Sequence, residues 1–270
     1  MNEQNTNQPN ENRKMPVLFI GHGSPMNIVL QNEFTRSLEK MKERMPKPKC
    51  IMVISAHWLT KGTYVTCSDK LIQGFDFYGF PDELYNVQYN PKGSPEYARA
   101  VIQLSGPENR IKCEYSRGLD HGSWAILKLL YPDADIPVLQ LSIDQTKAPE
   151  YHYRLAQKLS VLRERGFLMI GSGNIVHNLR TIDFQNIDAE PFSWAIEFDN
   201  KVKELLKGRM HKELMNYKEY GNIATMSVPT PEHYLPLLYT IGMQSESDKL
   251  EFIYEGFQNK AISMRSFIIS

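Results

Sequence analysis

Five of the seven histidines in this 270-residue chain stand where the backbone would hold an imidazole at the rim of a core rather than inside it. His22 lies in GHGSP, directly after the apolar run PVLFI at 16–20. His57 closes IMVISAHW after the run at 51–55, and His177 follows FLMIG by six residues in GSGNIVHN. In open parallel sheets ligands bind beyond the carboxyl ends of the strands, so these three rings are aimed at one edge. His121 in GLDHGSW sits between an aspartate and a glycine. His233 in VPTPEHYLPLLY follows two prolines that stiffen the approach to an expected helix start.

Neutral imidazole is the commonest metal ligand, and its pKa near neutrality also suits it to proton transfer. Histidines ending neighbouring strands, as His22 and His57 are expected to do, can reach a common point. Their long separations do not certify a metal site as HExxH or paired CxxC would, so an ordinary core role stays open beside the metal reading. His152 and His211 lie inside helical patterns with charged neighbours and read as structural or surface residues. Ser24 and Ser172 are not in the GxSxG elbow of a serine hydrolase. GSGN lacks the lysine and the spacing of a phosphate-binding loop.

The elements that must position these side chains follow from periodicity. The runs at 16–20, 51–55, 136–143 and 167–171 read as buried strands. Between them lie helical patterns: SPEYARAVIQL with a cap at Ser94, APEYHYRLAQKLSVLRERG stopping at Gly166, and SWAIEFDNKVKELLKG ending at Gly208. The alternation predicts a single α/β domain whose mostly parallel, mixed sheet is flanked by helices on both faces. KLEFIYEGF and AISMRSFII are expected to form a late antiparallel hairpin at the sheet edge. Residues 1–14, rich in Asn, Gln and Glu, are expected to be a disordered leader, and 15–270 one catalytic domain.

Composition excludes several partners. The balance of 31 basic and 31 acidic residues, with no basic tract, argues against nucleic acid and against a membrane surface. No apolar run approaches a membrane span. Three widely spaced cysteines, Cys50, Cys67 and Cys113, read as free thiols in a reducing compartment, which fits the cytoplasm.

Taken together, PVLFIGHGSPM, ISAHW, FDFYGFPDELY, GLDHGSWAIL, PVLQLSID, GSGNIVHNL and TPEHYLPLLY resemble, in that order, the class III extradiol ring-cleavage dioxygenases, specifically their 4,5-DOPA dioxygenase subgroup. The resemblance runs from about residue 16 to the C-terminus. It implies a metal-dependent oxidoreductase that opens a catechol such as L-DOPA with O2. It also implies that His22, His57 and His233 ligate a divalent metal, Zn or Fe(II). His177 is then a fourth ligand or an acid/base beside the metal, and His121 a second active-site histidine that holds substrate or moves a proton. Many extradiol enzymes complete their ligand set with a carboxylate, whereas here histidine stands at 233 with Glu232 beside it. A zinc-dependent hydrolase and a non-catalytic binding protein on the same fold are the alternatives. Trp58, Trp124, Tyr234 and the aromatic loop GFDFYGFPDELY can wall a flat substrate or fill the core. Arg180 reads first as a solvated helix arginine, with pairing to a substrate carboxylate the alternative if the segment after His177 turns helical.

Overall fold

Short β-branched and aliphatic runs become strands buried on both faces, as a parallel sheet covered by helices requires. The computed structural model describes residues 14–270, so the expected leader lies, apart from Lys14, outside the described residues. In chain order the strands are β1 Val17–Gly21, β2 Cys50–Thr60, β3 Tyr64–Thr66, β4 Lys112–Glu114, β5 Val138–Asp144, β6 Phe167–Gly173, β7 Leu250–Tyr254, β8 Phe257–Gln258, β9 Ile262–Ser263 and β10 Ser266–Ile269. Eight of them form one sheet, ordered β4-β3-β5-β2-β6-β1-β10-β7, while β8 and β9 make a separate pair. β5, β2, β6 and β1 run parallel. The expected late hairpin is β7 with β10, whose antiparallel pairing onto β1 closes that side of the sheet.

Alternation along β2 divides the core in two. Met52 and Ile54 face a layer that includes Leu155, Phe198 and Leu237, from the helices Pro149–Leu159, Ser193–Lys207 and Leu235–Gly242. Ile51 and Val53 face Phe34, Leu38, Trp124 and Leu127, from Glu33–Met41 and His121–Leu130. These side chains are buried, and each contributes about 1.5–3 kcal/mol in transfer free energy. Ser94 caps its helix by accepting from the Tyr97 N–H, with Pro95 at the first helical position. The helix that begins at Pro149 tightens into a 3₁₀ segment, Ser160–Arg165, before Gly166 stops it at φ +88°.

Three expectations are corrected. β1, which leads into His22, and β2, which carries His57, are not neighbours, since β6 lies between them. β2 does not end before His57. It continues to Thr60, with a register shift against β5 between Ile54 and Leu59, so the histidine sits in an irregular stretch of strand. Cys67 and Cys113 are not free thiols: the pairing of β3 with β4 aligns Val65 with Cys113, and the two cysteines are joined by a disulfide. Only pairing between segments 46 residues apart could reveal that bond, and without those two thiols the composition no longer argues for a reducing compartment. Cys50 is a buried free thiol, its pKa raised by burial. No helix among the described residues is long and apolar enough to cross a membrane.

Candidate metal centre

His22 extends β1 by one residue, its N–H donating to the carbonyl of Gly173 at the end of β6 (3.1 Å). The backbone of His233 closes over the same strand end, and Asn174 N donates to its carbonyl (2.9 Å). That approach needs glycine at 173, because a Cβ there would lie 2.1 Å from the His233 oxygen. His121 opens the helix His121–Leu130, whose N-cap is Asp120. Gly122 lets that helix start press on β2, since a Cβ would meet Ser55 Oγ at 2.6 Å and His57 Cδ2 at 2.9 Å. His177 is pinned by its N–H to the Ser227 carbonyl (2.8 Å).

These constraints gather all five predicted histidines. The Nε2 atoms of His22 and His57 are 3.1 Å apart. The ring of His233 lies 5.4 Å from that of His22 and 5.0 Å from that of His57, and His177 stacks on His233 at 3.5 Å with the planes 9° apart. His121 is 4.0 Å from His57. Ligating atoms fall into two groups, each within 4.8 Å: His22 with His57 and His121, and His177 with Glu232 and His233. Both groups can hold a metal ion. His152 and His211 are elsewhere, bonded to Tyr239 and to Tyr153 and Gln244.

Hydrogen bonding fixes which nitrogens carry lone pairs. Ser172 spends its hydroxyl proton on the Gly122 carbonyl (2.5 Å), so its oxygen accepts from His22 Nδ1 (2.9 Å) and leaves His22 Nε2 unprotonated. Asp76 accepts from His121 Nδ1 (3.0 Å) and from the His121 backbone N–H (2.8 Å). Glu232 faces His233 Nδ1 at 3.3 Å, and His233 Nε2 is buried without a partner among the described residues. Carboxylate or hydroxyl on Nδ1 with Nε2 free is the arrangement of histidines that bind metal. Two imidazoles on one ion, with bonds of about 2.1 Å at angles between octahedral and tetrahedral, place their nitrogens about 3.0–3.4 Å apart, and the His22–His57 spacing falls in that range.

The electrostatics agree. Burial, then neighbouring imidazoles, hold His22 and His233 well below the ordinary histidine range. His57 is lowered to about 4 by burial and by His121, against the opposing pull of Asp120, Asp76 and Glu232. Burial, with His57 next, lowers His177 to about 4. These rings are neutral at pH 7. Burial would raise Asp76, but the hydrogen bonds it accepts from the ring and the backbone N–H of His121 outweigh it and hold the carboxyl at about 2.

Asp76 escaped the sequence reading because it is one acid inside the aromatic loop, 45 residues from the histidine it serves. Ser172 was weighed there as a nucleophile and instead orients His22. The aromatics divide: Phe77 meets His121 edge-on at 5.5 Å and Phe75 packs on Trp124 at 5.6 Å, whereas Tyr234 is fully buried against Tyr217 and belongs to the core. Arg180 is exposed, and the segment after His177 forms a turn rather than a helix.

The chain is 43% identical to the 4,5-DOPA dioxygenase extradiol of Escherichia coli K12, with 94% of each chain covered. It is 35% identical to the protein of the same name from Beta vulgaris, over 93% of this chain and 95% of that one. The crystal structure of an uncharacterized protein from Escherichia coli K12 superposes with a TM-score of 0.83 at 39% identity, covering 95% of this chain and all of that one. Residues 16–268 match the catalytic LigB subunit of aromatic ring-opening dioxygenase, and the chain belongs to that family.

Proposed function

We propose that this chain is an extradiol dioxygenase that uses a divalent metal to open the ring of a catechol with O2, inserting both oxygen atoms beside the diol. The observation that carries the reading is the cluster of five imidazoles, with His22 Nε2 and His57 Nε2 3.1 Å apart and His233 Nε2 buried without a partner among the described residues. His22, His57 and His233 are the residues that would hold the metal, and His177 completes the coordination or stands beside it. Ferrous iron suits the activity better than zinc, which has no redox chemistry. When bound, the metal lowers the pKa of the catechol hydroxyls and brings catechol and O2 together.

The chain's own residues supply the rest. His121 Nε2 takes a catechol proton, and the ionised Asp76 on Nδ1 holds the ring in the correct tautomer and stabilises the imidazolium. The neutral His177 is the second proton-transfer group, placed against His233 to return a proton during ring opening. Phe77, edge-on to His121 at 5.5 Å, gives that histidine an apolar neighbour.

The test is metal removal, anaerobic reconstitution with ferrous iron or with zinc, and O2 uptake against L-DOPA, dopamine and 4-methylcatechol. One O2 consumed per catechol by the ferrous form, with loss of catechol absorbance, is expected. Ester hydrolysis by the zinc form, with no uptake by the ferrous form, would replace the reading with a hydrolase.

A further inference from the structure

Asp76 has a second neighbour beyond the histidines. Its carboxylate ends the histidine cluster on one side and on the other lines an open cavity of about 390 Å³, large enough for the side chain of a small aromatic ligand. None of the five histidines lines this cavity. Ile72 and Phe75 give it apolar walls, and Arg117 gives it its cation.

Arg117 is held rather than free. One Nη2 bond goes to the main-chain oxygen of His57 (3.0 Å), the guanidinium lies 5.4 Å from the centre of the Trp58 ring, and its side chain is 34% exposed. Its carboxylate neighbour, Asp120, approaches only to 3.4 Å. Asp120 is largely committed elsewhere: Oδ1 accepts from the Ser123 N–H and hydroxyl, and Oδ2 from the Gln140 amide. A guanidinium has five N–H donors; among the described residues Arg117 uses only Nη2 for protein acceptors, Nε is buried, and the donors left for a ligand are those of Nη1. A positioned cation with spare donors, facing a cavity that adjoins a ring-binding site, is suited to a carboxylate.

We infer that Arg117 is the specificity-determining residue for the side chain of the catechol: the ring sits at the histidines, the side chain lies in the neighbouring cavity, and Arg117 binds its carboxylate. The inference rests on the proposed function and deepens it by selecting amino-acid or carboxylic-acid catechols over alkyl or amine ones. Arg180, exposed on its turn, has no part in it.

Affinity measured without turnover separates the two claims. The zinc-loaded protein is titrated calorimetrically with L-DOPA, dopamine and 4-methylcatechol, and the ferrous protein is assayed on the same three for kcat and KM. Arg117→Gln should weaken L-DOPA binding and raise its KM by about 10- to 100-fold, the loss of one charge-assisted contact. Dopamine and 4-methylcatechol should move by less than about twofold, kcat by little, and metal content not at all. Arg117→Lys keeps the charge and should recover part of the loss, and its melting profile guards against a folding defect in the glutamine variant. Equal weakening of all three ligands would assign Arg117 to supporting His57 and overturn the inference. So would wild-type protein that binds 4-methylcatechol as tightly as L-DOPA, although the proposed function would then stand. If wild-type protein bound no catechol at all, the proposed function would fail and take the inference with it.

Discussion

The two ends of the central sheet treat buried polar groups in opposite ways. At the end where the parallel strands begin, Arg163 is 1% exposed and completely engaged. Its Nε donates to the Met15 carbonyl (2.7 Å), Nη1 to the Met243 carbonyl (2.7 Å) and to Asp248 (2.5 Å), and Nη2 to Asp248 (3.3 Å) and the Ile269 carbonyl (3.4 Å). Lys14 adds a second cation to Asp248 at 3.1 Å. Burial alone would raise the Asp248 carboxyl, but Arg163, Ser245 and Lys14 hold it well below the usual range. Opposite charges and carbonyls complete one another there. At the other end, like groups face like: five imidazoles crowd together, the chain supplies neighbours to Nδ1 of His22, His121 and His233, and His233 Nε2 is buried without a partner among the described residues. A satisfied buried cluster holds strands together. A buried cluster of metal-ligating side chains, oriented through their other nitrogens, is suited to hold an ion.

Substitution at the two ends should therefore cost different things. His22→Ala or His57→Ala should abolish metal retention and activity, since each removes a bond that nothing nearby replaces, while the metal-free protein remains folded. His121→Ala should keep the metal and lose turnover by about 10²- to 10⁴-fold, the usual worth of a general acid–base group. Elemental analysis beside steady-state kinetics checks both, and metal loss in His121→Ala as complete as in His22→Ala would show that the roles are assigned wrongly. At the other end, Arg163→Met should lower stability by about 3–5 kcal/mol by leaving Asp248 buried without its main partner, with metal content per folded molecule unchanged. Denaturant titration reads that loss.

A smaller effect belongs to the Cys67–Cys113 bond, which joins β3 and β4 at the roots of the loops carrying Asp76 and Arg117. Closing 46 residues of sequence separation is worth at most about 4 kcal/mol, and engineered precedents usually deliver less. Reduction or Cys67→Ser should lower the melting temperature and leave metal affinity intact, because no histidine lies on those strands. Loss of metal on reduction would mean that the two loops hold the centre together.

Acidification sharpens the contrast further. His57 and His177 are lowered to about 4 in the fold, against an unfolded value of about 6.5. Between those limits the unfolded chain takes up protons that the folded chain refuses, so the metal-free protein should lose stability as the pH falls from about 6.5 to 4. Asp76, held at about 2, adds its own loss only below about pH 4. Melting temperatures of metal-free protein across this range give the profile, and a flat line between pH 6.5 and 4 would contradict the desolvated cluster.

Much of this was legible in the sequence, for identifiable reasons. Buried parallel strands announce themselves as short aliphatic runs, and four such runs located β1, β5 and β6 to within two residues and the start, though not the end, of β2. Histidines beyond strand ends follow from the sheet's own geometry, so His22 and His177 could be placed at the edge. His57 lies among the clustered histidines as expected of its segment but inside the strand rather than beyond it, because a register shift between β2 and β5 leaves no mark in composition. Asp76, Arg117 and the disulfide were missed because each depends on which distant segments lie side by side. Local periodicity does not carry that information. Ser172 shows the converse: the residue was noticed, and its role could be read only once Gly122 was seen to take its proton.

The most direct test of the central claim is the position of the ion itself. Crystals of metal-free protein loaded with ferrous iron under anaerobic conditions should show one anomalous-scattering peak within about 2.0–2.3 Å of a ring nitrogen on each of His22, His57 and His233, with His177 bound to it or just beyond. A peak held instead by His177 and Glu232, or no peak at any loading that supports activity, would contradict the account.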